Sequence, residues 1–93
     1  MHSEAQWHTK TLADQLGNIG SEYSRAVLNR NKNEARFNAA RNRYLELLDL
    51  TIGDPRWDLS RKREFLRLRE ISAEDFPKDL QKYFDQFALL ARK

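Results

Sequence analysis

Apolar side chains recur along this chain at spacings of three and four residues, the period of a helix with one buried face. The first such row predicts a helix from about residue 4 to residue 29. Its members are Leu12, Leu16, Ile19, Tyr23 and Ala26. No segment of the sequence alternates between apolar and polar residues with period two, so no β-strand is predicted.

A second helix is predicted to begin at Glu34 and to end near Ile52. Asn31 and Glu34 have the spacing of a capping box, which predicts that Asn31 caps this helix. The apolar row of the second helix is Phe37, Ala40, Tyr44, Leu47 and Thr51, widened by Leu45, Leu48 and Ile52. Because the connection is short and polar, the first and second helices are expected to be antiparallel neighbours.

The most apolar stretch, residues 44–57 (YLELLDLTIGDPRW), ends in a sharp stop. Gly53 is expected to adopt the left-handed conformation that often follows a helix. Asp54 is the favoured cap of the next helix because Pro55 would then occupy its first position, and Asp58 is the alternative. Trp57 is expected to be largely buried against the second and fourth helices.

Two further helices are predicted, from about Asp58 to Ile71 and from about Pro77 to Ala91. Ser72 and Asp75 resemble a capping box between them. The third helix draws its apolar side from Trp57, Leu59, Phe65, Leu66, Leu68 and Ile71, and the fourth from Leu80, Tyr83, Phe84, Phe87, Leu90 and Ala91. Four amphipathic helices with short connections predict an all-α, up-and-down four-helix bundle, in a single domain that covers residues 1–93.

A row of small residues follows the apolar row of the first helix. It consists of Ala13, Gly17, Gly20 and Ser24. Each glycine inside a helix costs roughly 1 kcal/mol relative to alanine, so two on one stripe indicate a close contact with another helix, within or between subunits. The alternative is a bend or break of the helix near the two glycines.

The length of 93 residues limits the size of the core. A chain of this length buries only about 60 to 65 per cent of its unfolded surface, so stability shared with a second copy or a protein partner is expected. The sequence has no cysteine, which excludes disulfides, thiolate metal sites and cysteine nucleophiles. No stretch has the apolar length of a signal peptide or a membrane span, so we expect a cytoplasmic protein without a membrane partner.

No group of residues forms a catalytic, cofactor or metal signature. The only histidines are His2 and His8, and Glu4 lies one helical turn from His8. One such pair is not a metal site, because a di-iron bundle needs Glu-x-x-His pairs and this chain has none. Glu46 and Asp49 share a helix face, which is more typical of solvated charges than of paired catalytic carboxylates. The sequence therefore predicts no enzyme, no cofactor and no metal ion.

Arginine supplies eleven of the seventeen positive charges, and the net charge is +3. The excess lies on residues 54–69, within the third predicted helix and the turn before it. Candidate members of a basic surface on the second and third helices are Arg36, Arg43, Arg56, Arg63 and Arg67. Three interpretations remain open: a solvated face paired internally through Glu64 and Glu70, a surface for an acidic protein, or a surface for nucleic acid phosphates.

Four segments carry a resemblance to a set of small all-helical bacterial proteins of about this length. They are LADQLGNIGSE (12–22), ELLDLTIGDPRW (46–57), RLRE (67–70) and LQKYFDQFALLARK (80–93). This resemblance covers most of the chain and implies no particular activity.

A weaker resemblance concerns the four-helix-bundle family that includes ribosomal intervening-sequence proteins and the accessory proteins of diversity-generating retroelement reverse transcriptases. It is confined to LADQL, GSEYSRA and the helix that follows. In place of that family's Asn-Ile-Ala-Glu-Gly run, this chain has Asn18, Ile19, Gly20, Ser21 and Glu22. The resemblance implies a basic oligomer associated with nucleic acid.

Two hypotheses follow. The first is a non-catalytic helical-bundle protein that self-associates or docks a protein partner, through the small-residue row or through aromatic residues at the bundle ends. The second is an accessory protein that binds RNA or DNA through the arginines of the third predicted helix.

Overall fold

The computed structural model describes the backbone of residues 4–91 and the side chains of residues 4–86, and this part of the chain is all-helical. The helices are α1 (Glu4–Trp7), α2 (Leu12–Asn29), α3 (Glu34–Ile52), α4 (Leu59–Glu74) and α5 (Gln81–Ala91). The expected absence of β-strands is confirmed for the described residues. The predicted apolar side chains of Phe87, Leu90 and Ala91 lie outside the described side chains.

Consecutive helices α2, α3 and α4 pack against one another in chain order, whereas α5 does not follow this order. α2 is central and contacts both α3 and α5, whereas α4 packs mainly against α3. α1 touches α3. α5 therefore packs mainly against α2 and not against α4, the helix that precedes it.

The first predicted helix is interrupted between Trp7 and Leu12, so its prediction as one continuous helix was wrong. Thr11 is the N-cap of α2, and its hydroxyl accepts a hydrogen bond from the Asp14 backbone N–H at 3.1 Å. The alternative was a bend or break of this helix near Gly17 to Gly20, and a break does not occur, because α2 continues through both glycines.

Two helix caps differ from the expected ones. Asn33 caps α3 and accepts a hydrogen bond from the Arg36 N–H at 3.0 Å. Asn31, the predicted cap, adopts a left-handed conformation with φ of 66° and makes the turn between α2 and α3. Short polar side chains such as asparagine tolerate this conformation better than most residues.

The end of α3 also differs from its prediction. Gly53 has φ of −77° and stays in the right-handed region, so no left-handed residue ends this helix. Asp58, the alternative cap, begins α4 and accepts a hydrogen bond from the Arg61 N–H at 2.9 Å. Asp54 is not a cap, because its carboxylate is used inside the protein as described below.

α4 is longer than predicted and α5 starts later. Ser72 lies inside α4 and is buried, so the predicted capping pair with Asp75 does not form. Its hydroxyl lies 2.8 Å from the Tyr44 hydroxyl. Burial raises the pKa of Tyr44 to about 12, against the opposing effect of the Ser72 hydrogen bond. Tyr44 is therefore protonated at neutral pH and acts as a structural hydrogen-bonding group.

An aromatic cluster joins α2, α3 and α5. The ring centroid of Tyr23 lies 5.4 Å from that of Phe76 and 5.4 Å from that of Phe84. The Tyr44 ring contacts Phe76 and Phe84 edge-on. The remaining buried apolar residues are Trp7, Leu16, Ile19, Ala26, Ala40, Leu47, Leu48, Phe65 and Leu68.

Side chains of α2, of α3 and of the residue that follows α2 bind the last turn of α4 and the connection between α4 and α5. Arg30 donates a hydrogen bond to the Phe76 carbonyl, and Arg41 donates one to the Ala73 carbonyl at 3.0 Å. The Tyr23 hydroxyl donates to the carbonyl of residue 77 at 2.8 Å and accepts from the N–H of residue 80 at 3.0 Å. The non-helical connection is thereby anchored to α2 and α3.

Candidate interaction surfaces

A buried polar network joins the start of the chain to the turn after α3, and we call it the Asp54 corner. Its members are Trp7, Gln15, Thr51, Asp54, Arg56 and Trp57. Asp54 is fully buried, and its carboxylate accepts hydrogen bonds from Arg56 Nη2 at 2.7 Å and from Gln15 Nε2 at 3.0 Å. The hydrogen-bonded Arg56 guanidinium holds the pKa of Asp54 well below its usual range, although burial opposes this effect.

Gln15 connects the two tryptophans of the corner. Its amide nitrogen donates to the Trp7 carbonyl at 2.9 Å, and its amide oxygen accepts from the Trp57 indole N–H at 3.0 Å. The Trp7 indole N–H donates to the Thr51 hydroxyl at 2.9 Å. Each of these polar groups is satisfied inside the protein, so the corner is a structural element rather than an unoccupied binding site.

Trp57 was expected to be largely buried against the second and fourth predicted helices, and it packs against the core but also bonds to α2, which was not an expected neighbour. Trp57 is only partly buried, and its indole N–H is bonded to α2. The Arg56 guanidinium lies over its ring, 4.4 Å from the centroid. The fully buried tryptophan is Trp7, which the sequence interpretation did not place in the core.

The five candidate arginines lie in three different places. Arg56 is held by Asp54, so its charge is compensated within the corner. Arg36 and Arg43 line a shallow groove between α2 and α3, whereas Arg63 and Arg67 are exposed on α4. Neither Arg63 nor Arg67 lines the groove that holds Arg36 and Arg43, and a single basic surface across the second and third predicted helices stays a prediction.

The groove between α2 and α3 is basic. It also contains Arg25 from α2, and its one acidic residue is Glu22, which pairs with Arg25 at 3.2 Å. The α4 contacts of α3 lie elsewhere on that helix, since Asp49 forms an ion pair with Arg69 at 2.7 Å. We call the surface lined by Glu22, Arg25, Arg36 and Arg43 the α2–α3 groove.

The small-residue row of α2 faces α5 of the same chain. A Cβ atom built on Gly20 would lie 2.5 Å from the Phe84 Cβ, which is too close for any side chain. Ser24 donates a hydrogen bond to Gln81 at 2.7 Å. Gly17 lines the same crevice, and Ala13 is partly buried near the start of the helix. The close approach at Gly20 thus lies within one subunit.

α4 exposes large apolar side chains. Leu59, Leu66 and Ile71 are 65%, 45% and 49% exposed, and Leu28 on α2 is the fourth large hydrophobic residue of the described chain to be exposed in this way. One row of α4 carries the exposed residues Leu59, Arg63, Leu66 and Glu70 and ends at the partly buried Ala73, at spacings of 4, 3, 4 and 3. We call this row the outer face of α4.

The charges of α4 do not pair as the internal-pairing interpretation requires. Glu64 accepts a hydrogen bond from the Tyr83 hydroxyl at 2.5 Å. Arg69 pairs with Asp49 of α3, and among the described residues no ion pair joins Glu64 to Arg61 or Glu70 to Arg67. Arg63 and Glu70 on the outer face are both exposed.

Within residues 4–86, no group of three potential ligand side chains is arranged to hold a metal ion. His8 lies 3.1 Å from the Leu50 carbonyl. Among the described helices, none has the length and apolar character needed to cross a membrane. Comparisons with protein-family models, with curated proteins and with solved structures found no match to this chain.

Sequence reasoning missed the Asp54 corner, although the sequence did contain a signal that α2 begins after Trp7. Thr11 and Asp14 have the spacing of a helix start, and this pair would have separated the Trp7 turn from α2. The hydrogen bond from Gln15 to Asp54 joins residues 39 positions apart, and no local sequence pattern predicts it.

Proposed function

We propose that this chain is a non-catalytic interaction protein that docks a protein partner through the outer face of α4. In this proposal the four longer helices, α2 to α5, act as an up-and-down bundle that displays this face. The observation that carries the proposal is the exposure of Leu59 and Leu66 on a helix whose opposite side is already packed into the core.

The buried side of α4 accounts for its place in the fold. Phe65, Leu68 and Ser72 are buried there, so packing of α4 does not require Leu59 or Leu66. Scattered surface leucines are ordinary, but two leucines exposed two turns apart on the same row of one helix give that row the apolar character of an interaction site. Charged residues beside apolar ones are typical of the rim of a protein interface.

Site-specific photo-crosslinking tests this proposal. The photo-reactive residue benzoylphenylalanine replaces Leu66 in cells that produce the protein, and in a second strain it replaces Asn38, which is exposed on α3. We expect a defined crosslinked species with the residue at position 66 and little at position 38. Equal crosslinking at the two positions, or none at position 66, would contradict the proposal.

Nucleic acid binding is the second candidate function, and the α2–α3 groove is the observation that favours it. Three arginines and one glutamate line this groove, and of these arginines Arg25 is paired with Glu22 on the same helix. Its arginines can neutralise phosphates without base specificity, so affinity should fall with salt by a log–log slope of about −0.7 to −0.9 per phosphate contact.

The test compares two charge reversals in a salt titration of binding to mixed single- and double-stranded nucleic acid. Arg36→Glu with Arg43→Glu changes the groove, and Arg63→Glu with Arg67→Glu changes α4 by the same charge. If the groove binds phosphates, only the first pair reduces affinity and flattens the salt dependence. Absence of binding at about 50 mM salt, where weak non-specific contacts should appear, removes this candidate.

A further inference from the structure

We infer that the outer face of α4 pairs with the same face of a second copy of this chain, with the two α4 helices antiparallel and Leu66 on the two-fold axis. This inference rests on the proposed function and identifies the partner. It follows from the order of apolar and charged residues along the exposed row.

The five residues of the outer face form a narrow strip. At 3.6 residues per turn, Leu59, Arg63, Leu66, Glu70 and Ala73 fall within an arc of about 80°. Phe65, Leu68 and Ser72 are centred on the opposite side and are buried. A narrow strip along one helix is suited to contact with one other helix lying along it.

The strip matches itself when one copy is reversed. With Leu66 of both copies at the axis, Leu59 and Ala73 of opposite copies lie at the same height, because each is seven residues from the axis. Arg63 is three residues from the axis and Glu70 is four. Arg63 of one copy and Glu70 of the other therefore differ in height along the helices by about 1.5 Å, the rise of one residue. Each copy thus offers Arg63 to Glu70 of the other, and the pair occurs twice.

The two charged residues within the strip favour one orientation. In a parallel pair, Arg63 would face Arg63 and Glu70 would face Glu70, and such like-charge contacts are unfavourable. In the antiparallel pair both contacts are between opposite charges. A two-fold interface of this kind uses the same patch on both subunits, which is the commonest arrangement of soluble homodimers.

The contact is small, since it involves one exposed face of a 16-residue helix. Interfaces at the low end of the size range are usually weak and reversible. We therefore expect a dimer whose population rises with protein concentration. Both leucines would lose their exposure to water on association, which is the driving force for the contact.

Cysteine crosslinking tests the register, and the chain is suited to it because its sequence contains no cysteine. Leu66→Cys should form an intermolecular disulfide under mild oxidation, since the axis brings the two positions together. Leu59→Cys alone should not, because its two copies would lie about 21 Å apart along the helices, at about 1.5 Å per residue. A mixture of Leu59→Cys and Ala73→Cys should crosslink, since these positions face each other.

A charge exchange tests the orientation. We expect Arg63→Glu to weaken dimerisation at least about threefold in analytical ultracentrifugation, because like charges then face each other. Glu70→Arg should do the same. The double variant, with both changes, should recover most of the lost affinity because the opposite-charge pair is restored with its signs reversed. Lys82→Glu on α5 is the control and should leave the dimer unchanged.

Three results would overturn the inference. They are a monomer at all concentrations up to about 1 mM, where even weak association should be seen, a Leu66→Cys variant that crosslinks no faster than Asn38→Cys, and a double charge variant no better than the single ones. If the photo-crosslink at position 66 joins a different protein while the chain is monomeric, the docking proposal stands and the self-pairing falls. If position 66 gives no crosslink at all, both fall.

Discussion

The Asp54 corner and the outer face of α4 use their residues in opposite ways. In the corner, a carboxylate, an amide and two indoles are drawn into the protein, and each is bonded to another part of the chain. On the outer face, leucines are left in water beside an exposed arginine and glutamate. Polarity alone therefore does not identify which surface of this protein is free to bind.

Arginine illustrates the difference. Arg56 and Arg63 are seven residues apart and have the same chemistry, but Arg56 is fixed by a buried carboxylate and a tryptophan ring. Arg63 is exposed on α4 and remains available. The following variants test whether the corner is structural and the outer face is not, in order of decreasing effect on stability.

Trp7→Ala should cause the largest loss. Trp7 is fully buried and its indole is bonded to Thr51, so the free energy of unfolding should fall by about 3 to 5 kcal/mol, as for other deletions of large buried aromatic residues. Urea denaturation followed by circular dichroism measures this loss. Trp57→Ala is the control and should cost clearly less, because Trp57 is only partly buried. A loss below about 1 kcal/mol for Trp7→Ala would show that the corner does not depend on this residue.

Asp54→Asn should cost about 1.5 to 3 kcal/mol at pH 7, the range for a hydrogen bond to a charged group. The lowered pKa of Asp54 also predicts a pH dependence. Its contribution is complete above the unfolded pKa of about 3.9 and is lost as the pH falls from there towards the folded value, because the unfolded state takes up the proton first.

The measurement is the free energy of unfolding between pH 7 and pH 2, for the wild type and for Asp54→Asn. The variant should show a weaker acid dependence. Asp58→Asn is the matched control, because asparagine caps a helix about as well as aspartate. If both variants keep the full acid dependence, Asp54 is not the group responsible.

Gly20→Leu should reduce stability by about 1 to 3 kcal/mol, the usual cost of overfilling a packed contact. The Phe84 Cβ lies so close that α5 has to move to admit any side chain. Gly53→Ala is the control, since a Cβ there would be 3.5 Å from its nearest neighbour and its φ is ordinary for alanine. Thermal denaturation of both variants decides whether the α2–α5 crossing is as close as described.

Leu66→Gln should have the smallest effect on the free energy of unfolding. The change should stay within about 0.5 kcal/mol, as for most exposed positions, when it is measured at a concentration where the chain is monomeric. Leu68→Ala, two residues away on the buried side, should cost about 2 to 5 kcal/mol. If Leu66→Gln destabilised the monomer as much as Leu68→Ala, the outer face would belong to the core.

Periodicity identified the main helices because each has an apolar row that local spacing reveals. The ends were less predictable, since several residues can compete to be a cap. Asp54 and Asp58 are both good caps locally, but the Asp54 carboxylate binds Arg56 and Gln15 instead, and Gln15 is distant in the sequence.

The surfaces were less predictable than the helices for a related reason. Arg36 and Arg63 are each found on the exposed side of a helix, but whether they share a surface depends on which helices are neighbours. That order is set by contacts such as Gly20 with Phe84, between residues 64 positions apart. The small-residue row signalled a close crossing but not the helix that fills it.

The contact between Gly20 and Phe84 also has a consequence for biosynthesis. During translation, the side of α2 that holds Gly20 and Tyr23 has no covering helix until α5 has left the ribosome. α2 and α3 can associate early because they are adjacent in the sequence, whereas completion of the aromatic cluster requires Phe84 of α5. Ribosomes stalled before α5 would therefore carry chains with exposed aromatic surface, which favours aggregation or chaperone binding.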